Sequence, residues 1–267
     1  MKQSIGIFDS GIGGLTVLRE IERLLPWEDT IYLGDTARVP YGTKSRETVI
    51  RYAVENTHYL LNEKIKLLVV ACNTASAFAL EILQQSLGIP VIGVIEPGAL
   101  KAVEIGRTHR IGVIGTEGTI RSGAYFDAIK RHDQKVAVFT KPCPLFVPLA
   151  EEGWTNNDVA RMTAENYLGE LKEELVDTLV LGCTHYPLLK EVIGEVMGEE
   201  VTLVDSAEET AAEVKRVLSE AKMLDGGVDG KGRHTFYVTD SPGRFMNIGS
   251  RFLGAVLDQV KLATVER

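Results

Sequence analysis

Cysteine is scarce: three residues in a chain of 267, an odd number that leaves no disulfide scaffold. No C-x-x-C, H-x-x-x-H or H-E-x-x-H spacing occurs, so the ordinary zinc patterns are missing too. Long apolar runs are also absent. The longest, Leu67 to Cys72, is far too short to cross a bilayer. The start, Met1-Lys2-Gln3-Ser4, turns straight into a strand pattern with no apolar core and cleavage site, which predicts no signal peptide and a cytoplasmic protein. Excess basic charge is lacking as well. The net charge is -8, and a general binder of phosphate backbones needs the opposite sign. No membrane partner and no nucleic-acid partner are therefore expected. What remains, with 45% apolar and 25% charged residues, is the composition of an ordinary globular chain.

Short β-branched runs alternate with helical stretches. The runs are Ile5–Phe8, Thr30–Leu33, Leu67–Ala71, Val91–Ile95, Arg110–Ile114, Val136–Phe139, Thr178–Leu181, Val201–Val204 and Thr235–Val238. Between the first two, Leu15, Leu18, Ile21 and Leu25 share one helical face, and Pro26 stops the helix. Arg46 to Leu61 and Asn157 to Glu174 read as longer helices, with Ser45 and Asn156 as their caps. The stretch 225–230 reads as a surface loop ahead of a final strand and a closing helix. Buried strands alternating with helices predict an α/β fold with parallel sheets.

The chain also repeats itself. Ile5-Gly6-Ile7-Phe8-Asp9-Ser10 matches Ile111-Gly112-Val113-Ile114-Gly115-Thr116. Leu68 to Thr74 matches Leu179 to His185, and Val94-Ile95-Glu96-Pro97 matches Leu203-Val204-Asp205-Ser206. Three matches at nearly one offset predict two pseudo-symmetric α/β domains. The first would comprise residues 1–96 plus 207–267, and the second 97–206, with the active site in the cleft between them.

The repeat puts Cys72 and Cys183 at equivalent places, each ending an apolar strand just before a helix. Ligands of open α/β sheets bind at those strand ends, and a helix N-terminus stabilises a thiolate. Two facing thiols would suit a reaction that removes a proton from one face of a carbon and returns one to the other. A pair of buried core cysteines is the plainer alternative, and the paired Asn73-Thr74 and Thr184-His185 weigh against it. Asp9 could assist Cys72, or cap the following helix. Gly11-Ile12-Gly13-Gly14 imitates a dinucleotide loop, but Thr16 stands where the third glycine belongs. Cys183 and His185, with Asp9 or Cys72, could offer metal ligands, but in none of the usual spacings. Cys143 and the histidines at 58, 109, 132 and 234 read as structural or surface residues. No cofactor and no metal are expected.

These segments together resemble the glutamate racemases. The motifs are Ile7–Leu15, Gly34–Gly42, Ala71–Ser76, Cys143–Leu149 with Glu151-Glu152-Gly153, and Gly182–Pro187, in family order over nearly the whole chain. The resemblance implies a cofactor-independent isomerase, often a homodimer, that interconverts L- and D-glutamate and supplies the D-enantiomer for peptidoglycan. It implies Cys72 as the base for D-glutamate and Cys183 for L-glutamate, with Asp9 assisting the first and His185 and Glu151 the second. Ser10, Tyr41, Gly42, Asn73, Thr74 and Thr184 match the family's substrate-binding positions, along with Asp9 and His185. Because Arg38 is nearly the only cation in these motifs, backbone amides and hydroxyls are expected to hold the substrate's carboxylates. The chain begins at the first motif, so activation by a cell-wall precursor, found in members with an N-terminal extension, is not expected. Other readings are an aspartate or other amino-acid racemase of the same superfamily, a cysteine-dependent hydrolase that would leave Cys72 idle, and a binding module that kept the fold.

Overall fold

A computed structural model describes residues 3–227 and 230–265. Ten strands and eleven α-helices are described: β1 (Ser4–Asp9), α1 (Leu15–Leu24), β2 (Thr30–Gly34), α2 (Arg46–Asn62), β3 (Ile65–Val70), α3 (Asn73–Ser86), β4 (Val91–Gly93), α4 (Ile95–Ile105), β5 (Arg110–Gly115), α5 (Glu117–Ser122), α6 (Ala124–His132), β6 (Ala137–Pro142), α7 (Phe146–Glu152), α8 (Asp158–Glu173), β7 (Thr178–Gly182), α9 (Lys190–Met197), β8 (Thr202–Asp205), α10 (Ser206–Glu220), β9 (His234–Val238), α11 (Pro242–Leu253) and β10 (Lys261–Leu262).

The strands form two sheets, ordered β10-β9-β2-β1-β3-β4 and β6-β5-β7-β8, with every neighbouring pair parallel. The order β2-β1-β3-β4 in one sheet is the order β6-β5-β7-β8 in the other. The segments paired by the sequence repeat, β1 with β5 and β3 with β7, occupy equivalent central places. The fold is thus two related parallel-sheet α/β units, as the repeat predicts. In each, the chain goes to one side of its first strand and then returns to the other, so a switch point lies between β1 and β3 and another between β5 and β7. At a switch point the loops diverge, leaving a crevice at the strands' carboxyl ends.

One apolar core runs from Ile5, Ile7 and Leu67 through α1, α4, α10 and α11 to Ile111, Val113 and Leu179, so the two sheets share it. A separate core of Phe8, Leu33, Leu68 and Val70 lies on the opposite face of the larger sheet, under α2 and α3. After β8 the chain returns: α10 packs on α1, and β9 and β10 extend the larger sheet.

Several local expectations need correction. The cap of α8 is Asn157, not Asn156, because it is the Asn157 side chain that accepts from the Ala160 amide, at 2.9 Å. Ser45 does cap α2, accepting from the Thr48 amide. The strand expected over Val91–Ile95 stops at Gly93, because Val94 has turned helical and Ile95 opens α4. Cys183 is not followed directly by an α-helix. The Tyr186–Leu189 segment is a single 3-10 turn, held by the buried Tyr186 hydroxyl donating to the Cys143 carbonyl at 2.9 Å, and α9 begins only at Lys190. In the 225–230 stretch, Val228 and Asp229 lie outside the described residues.

Candidate active site

Both switch points open on one small cavity of about 60 Å³. From the larger sheet, the segment after β1 supplies Ser10, Gly11 and Ile12, and the end of β3 supplies Cys72, Asn73 and Thr74. From the smaller sheet come Thr116 after β5 and Cys183, Thr184 and His185 after β7, with Val147 and Glu151 on α7. Tyr41 and Gly42 complete it from a 3-10 turn after β2. All the candidate site residues except Asp9 line this cavity, which places both thiols on one space.

Cys72 is the N-cap of α3, and the Ala75 amide points at its sulfur. Its Sγ lies 3.6 Å from the Ser10 hydroxyl. Those dipoles favour a thiolate, but complete burial and the charge of Asp9 outweigh them and push the thiol up to about 12. Asp9 sits behind the cavity wall. Its Oδ2 accepts from the Gly11 amide at 2.9 Å, and its Oδ1 has no hydrogen-bond partner among the described residues. Burial raises its pKa against the opposing pull of His185 and the amides of Gly11, Gly14 and Ser10. Gly14 occupies the cap position of α1, so Asp9 serves the helix start through these amides rather than as its cap residue.

The Cys183 side is built differently. Cys183 leads into a 3-10 turn rather than an α-helix; His185 Nδ1 lies 3.9 Å from Sγ, and His185 Nε2 lies 3.3 Å from Glu151 Oε1. Burial alone would lower the imidazole pKa. The hydrogen bonds to Cys183 and Glu151 reverse that and raise it to about 10, so the ring is a cation at neutral pH. Glu151 is correspondingly held below the usual carboxylate range, first by its bond to His185, against burial, and further by Arg244. One thiol therefore sits beside a buried carboxyl and the other beside a buried imidazole.

Hydroxyls and amides bridge the two sides. The Thr74, Thr116 and Thr119 hydroxyls bond to one another at 2.9 to 3.1 Å. The Tyr125 hydroxyl donates to Asn73 Oδ1 at 2.8 Å, leaving the buried Asn73 Nδ2 without a partner among the described residues. Asn73 itself lines the cavity, so this unpaired buried donor lies next to it. The Thr16 hydroxyl donates to the Thr184 carbonyl at 3.0 Å, tying α1 to the turn that carries Cys183. Gly13 allows that approach: a Cβ there would land on the Thr184 hydroxyl and the His185 ring.

No lysine or arginine lines the cavity among the described residues. Arg38 is committed elsewhere, to Asp35, Glu55 and Asn56. The Tyr41 hydroxyl joins the same network, donating to Asp35 and accepting from Asn56 Nδ2 at 3.0 Å. Glu96 pairs with Arg131 and His132 at the surface. Cys143 is buried away from the cavity lining. Among the described residues no cluster of potential metal ligands is found, and no helix is long and apolar enough to cross a membrane.

Sequence reasoning passed over Thr116, although the repeat sets it opposite Ser10, a signal that could have found it. It also passed over Arg244 and Phe252 of α11, which touch Glu151 and His185. No motif marks them, because they reach the site from a helix far along the chain.

The Asp/Glu/hydantoin racemase family matches residues 5–214. A glutamate racemase of Geobacter metallireducens is 62% identical over 264 residues, covering 99% of this chain and 97% of that protein. The crystal structure of a glutamate racemase isoform, RacE1, from Bacillus anthracis superposes with a TM-score of 0.95 at 41% identity, covering 98% of each chain. That of the Francisella tularensis glutamate racemase, in complex with D-glutamate, gives 0.93 at 37% identity, covering 99% of this chain and 98% of that one. The chain belongs to the Asp/Glu/hydantoin racemase family and, within it, to the glutamate racemases.

Proposed function

We propose that this protein interconverts L- and D-glutamate by two-thiol proton transfer at Cα, supplying D-glutamate for peptidoglycan. The observation that carries the reading is that Cys72 and Cys183, at equivalent strand ends of two related sheets, line one small cavity. Relatives at up to 62% identity named glutamate racemase support the substrate, as does the D-glutamate bound to the Francisella tularensis enzyme.

The environments support a division of starting roles. Cys72, with its pKa pushed up to about 12, enters as a thiol able to donate. His185 Nδ1, 3.9 Å from the Cys183 sulfur, is placed to exchange a proton with it, so Cys183 is the acceptor of the α-proton of L-glutamate in this reading. Abstraction on the Cys183 face and donation from Cys72 on the other give D-glutamate, and the reverse direction begins with the roles exchanged. Asp9 and His185 act as the proton partners of the two sulfurs. The amides at the start of α3, the free Asn73 Nδ2, and the Ser10, Thr74, Thr116 and Thr184 hydroxyls supply donors for the carboxylates and for charge developing on the α-carboxylate.

The two lobes carrying these thiols correspond, in this reading, to residues 1–96 with 207–267 and to residues 97–206. The site of action is the cytoplasm, where thiols stay reduced; all three cysteines are free. The active form is a homodimer, testable by sedimentation. The activity itself is tested by following the circular dichroism of L-glutamate with the purified protein. Decay to zero in the absence of any added cofactor is expected, and a persistent signal would refute the reading.

A further inference from the structure

Helix α11 packs on α1, yet three of its side chains reach across to the Cys183 side. Arg244 donates to Glu151 Oε2 at 3.2 Å. Two turns on, Arg251 donates to the Glu151 main-chain carbonyl and fills the space beside Gly153, where a Cβ would collide with its guanidinium. The Phe252 ring meets the His185 ring edge-on, with centroids 5.1 Å apart. The Glu151 carboxylate is thereby divided, Oε1 to His185 and Oε2 to Arg244. A carboxylate pinned at one oxygen by a guanidinium presents the other in a fixed direction.

We propose that Arg244 is a positioning residue for the acid–base group on the Cys183 side, acting through Glu151 on His185. Glu151 sits in the last turn of α7, and without Arg244 its side chain could swing into the adjoining recess of about 320 Å³, which Arg244, Ser241 and Thr36 also line. His185 would then lose its anchor at Nε2, and with it the orientation that points Nδ1 at Cys183. The contact is one bond from a charged nitrogen, which a lysine at this place can also supply. The proposal rests on the two-thiol reading of the site.

The test compares Arg244→Ala, Arg244→Lys, Glu151→Gln and the Arg244→Ala/Glu151→Gln double variant. Racemisation would be followed from both enantiomers between mildly acid and alkaline pH. Arg244 is exposed over 62% of its side chain, so its removal should leave the fold intact. For Arg244→Ala the expected result is a kcat about tenfold lower, with KM moving less than about twofold, because the lost contact is not with substrate. The acid limb of kcat/KM should move upward by about half a pH unit, since Glu151 loses a nearby cation and binds its proton more tightly. Arg244→Lys should restore most of the loss. In the Glu151→Gln background, Arg244→Ala should add nothing. An unmoved acid limb, or losses that add in the double variant, would overturn the proposal alone. A wild-type protein without racemase activity would overturn the functional reading and the proposal with it.

Discussion

His185 Nε2 lies 3.3 Å from Glu151 Oε1, a contact between a strand-end turn and a helix that pairs a buried imidazole with a half-buried carboxylate. It fixes the charge of the imidazole as well as its direction, and so distinguishes the two sides of the site.

The ion pair has a consequence for stability against pH. The folded His185 pKa, raised to about 10 from 6.5, lies above its unfolded value. Its contribution is therefore fully present below about pH 6.5 and is lost as pH rises through about 10. Thermal unfolding of the wild type and of His185→Asn across that window should show the wild type's advantage shrinking with rising pH. An advantage that grows toward alkaline pH would show the imidazole to be neutral in the folded protein.

Gly13→Ala should damage activity more than stability. The added methyl meets the Thr184 hydroxyl and the His185 ring, and relief requires the His185 turn to move. Overpacking of this kind costs about 1–3 kcal/mol, while a displaced catalytic group costs about a hundredfold in rate. Parallel melting and racemisation assays check this, and a variant with full activity would show that the turn can yield without cost.

Asn73→Ala removes both the free Nδ2 donor and the acceptor of the Tyr125 hydroxyl. Leaving that buried hydroxyl with only its Ser206 contact should destabilise the protein by about 1 kcal/mol. Loss of a donor to the substrate should raise KM for both enantiomers by roughly tenfold. An unchanged KM with a lowered melting temperature would assign Asn73 a purely structural role.

Much of this architecture can be read from the chain because buried parallel strands write themselves as apolar runs, and because the repeat survives at the ends of β1, β3, β5 and β7. Cys72 and Cys183 stand out for that reason: their positions are set by strand ends, which local patterning marks. Other features depend on distant contacts. Nothing local tells Asn157 from Asn156 as a cap, since the choice rests on which side chain reaches the Ala160 amide. The edge strand β10, two residues long, is too short to show alternation. Arg38 looks like a free cation in its motif, and only the packing of α2 shows Glu55 and Asn56 closing on it. Arg244 and Phe252 come to the site through tertiary folding alone.

The central claim is that each thiol serves one enantiomer, and one-sided elimination tests it most directly. A glutamate analogue with a leaving group on the neighbouring carbon needs a base on only one face of Cα. Cys72→Ser and Cys183→Ser should each reduce racemisation by several orders of magnitude, because a hydroxyl is a far poorer base than a thiolate. The Cys72→Ser protein should still eliminate from the analogue with L configuration at Cα, and the Cys183→Ser protein from the D-configured one. Equal loss toward both enantiomers in either variant would contradict the assignment of one thiol to each face.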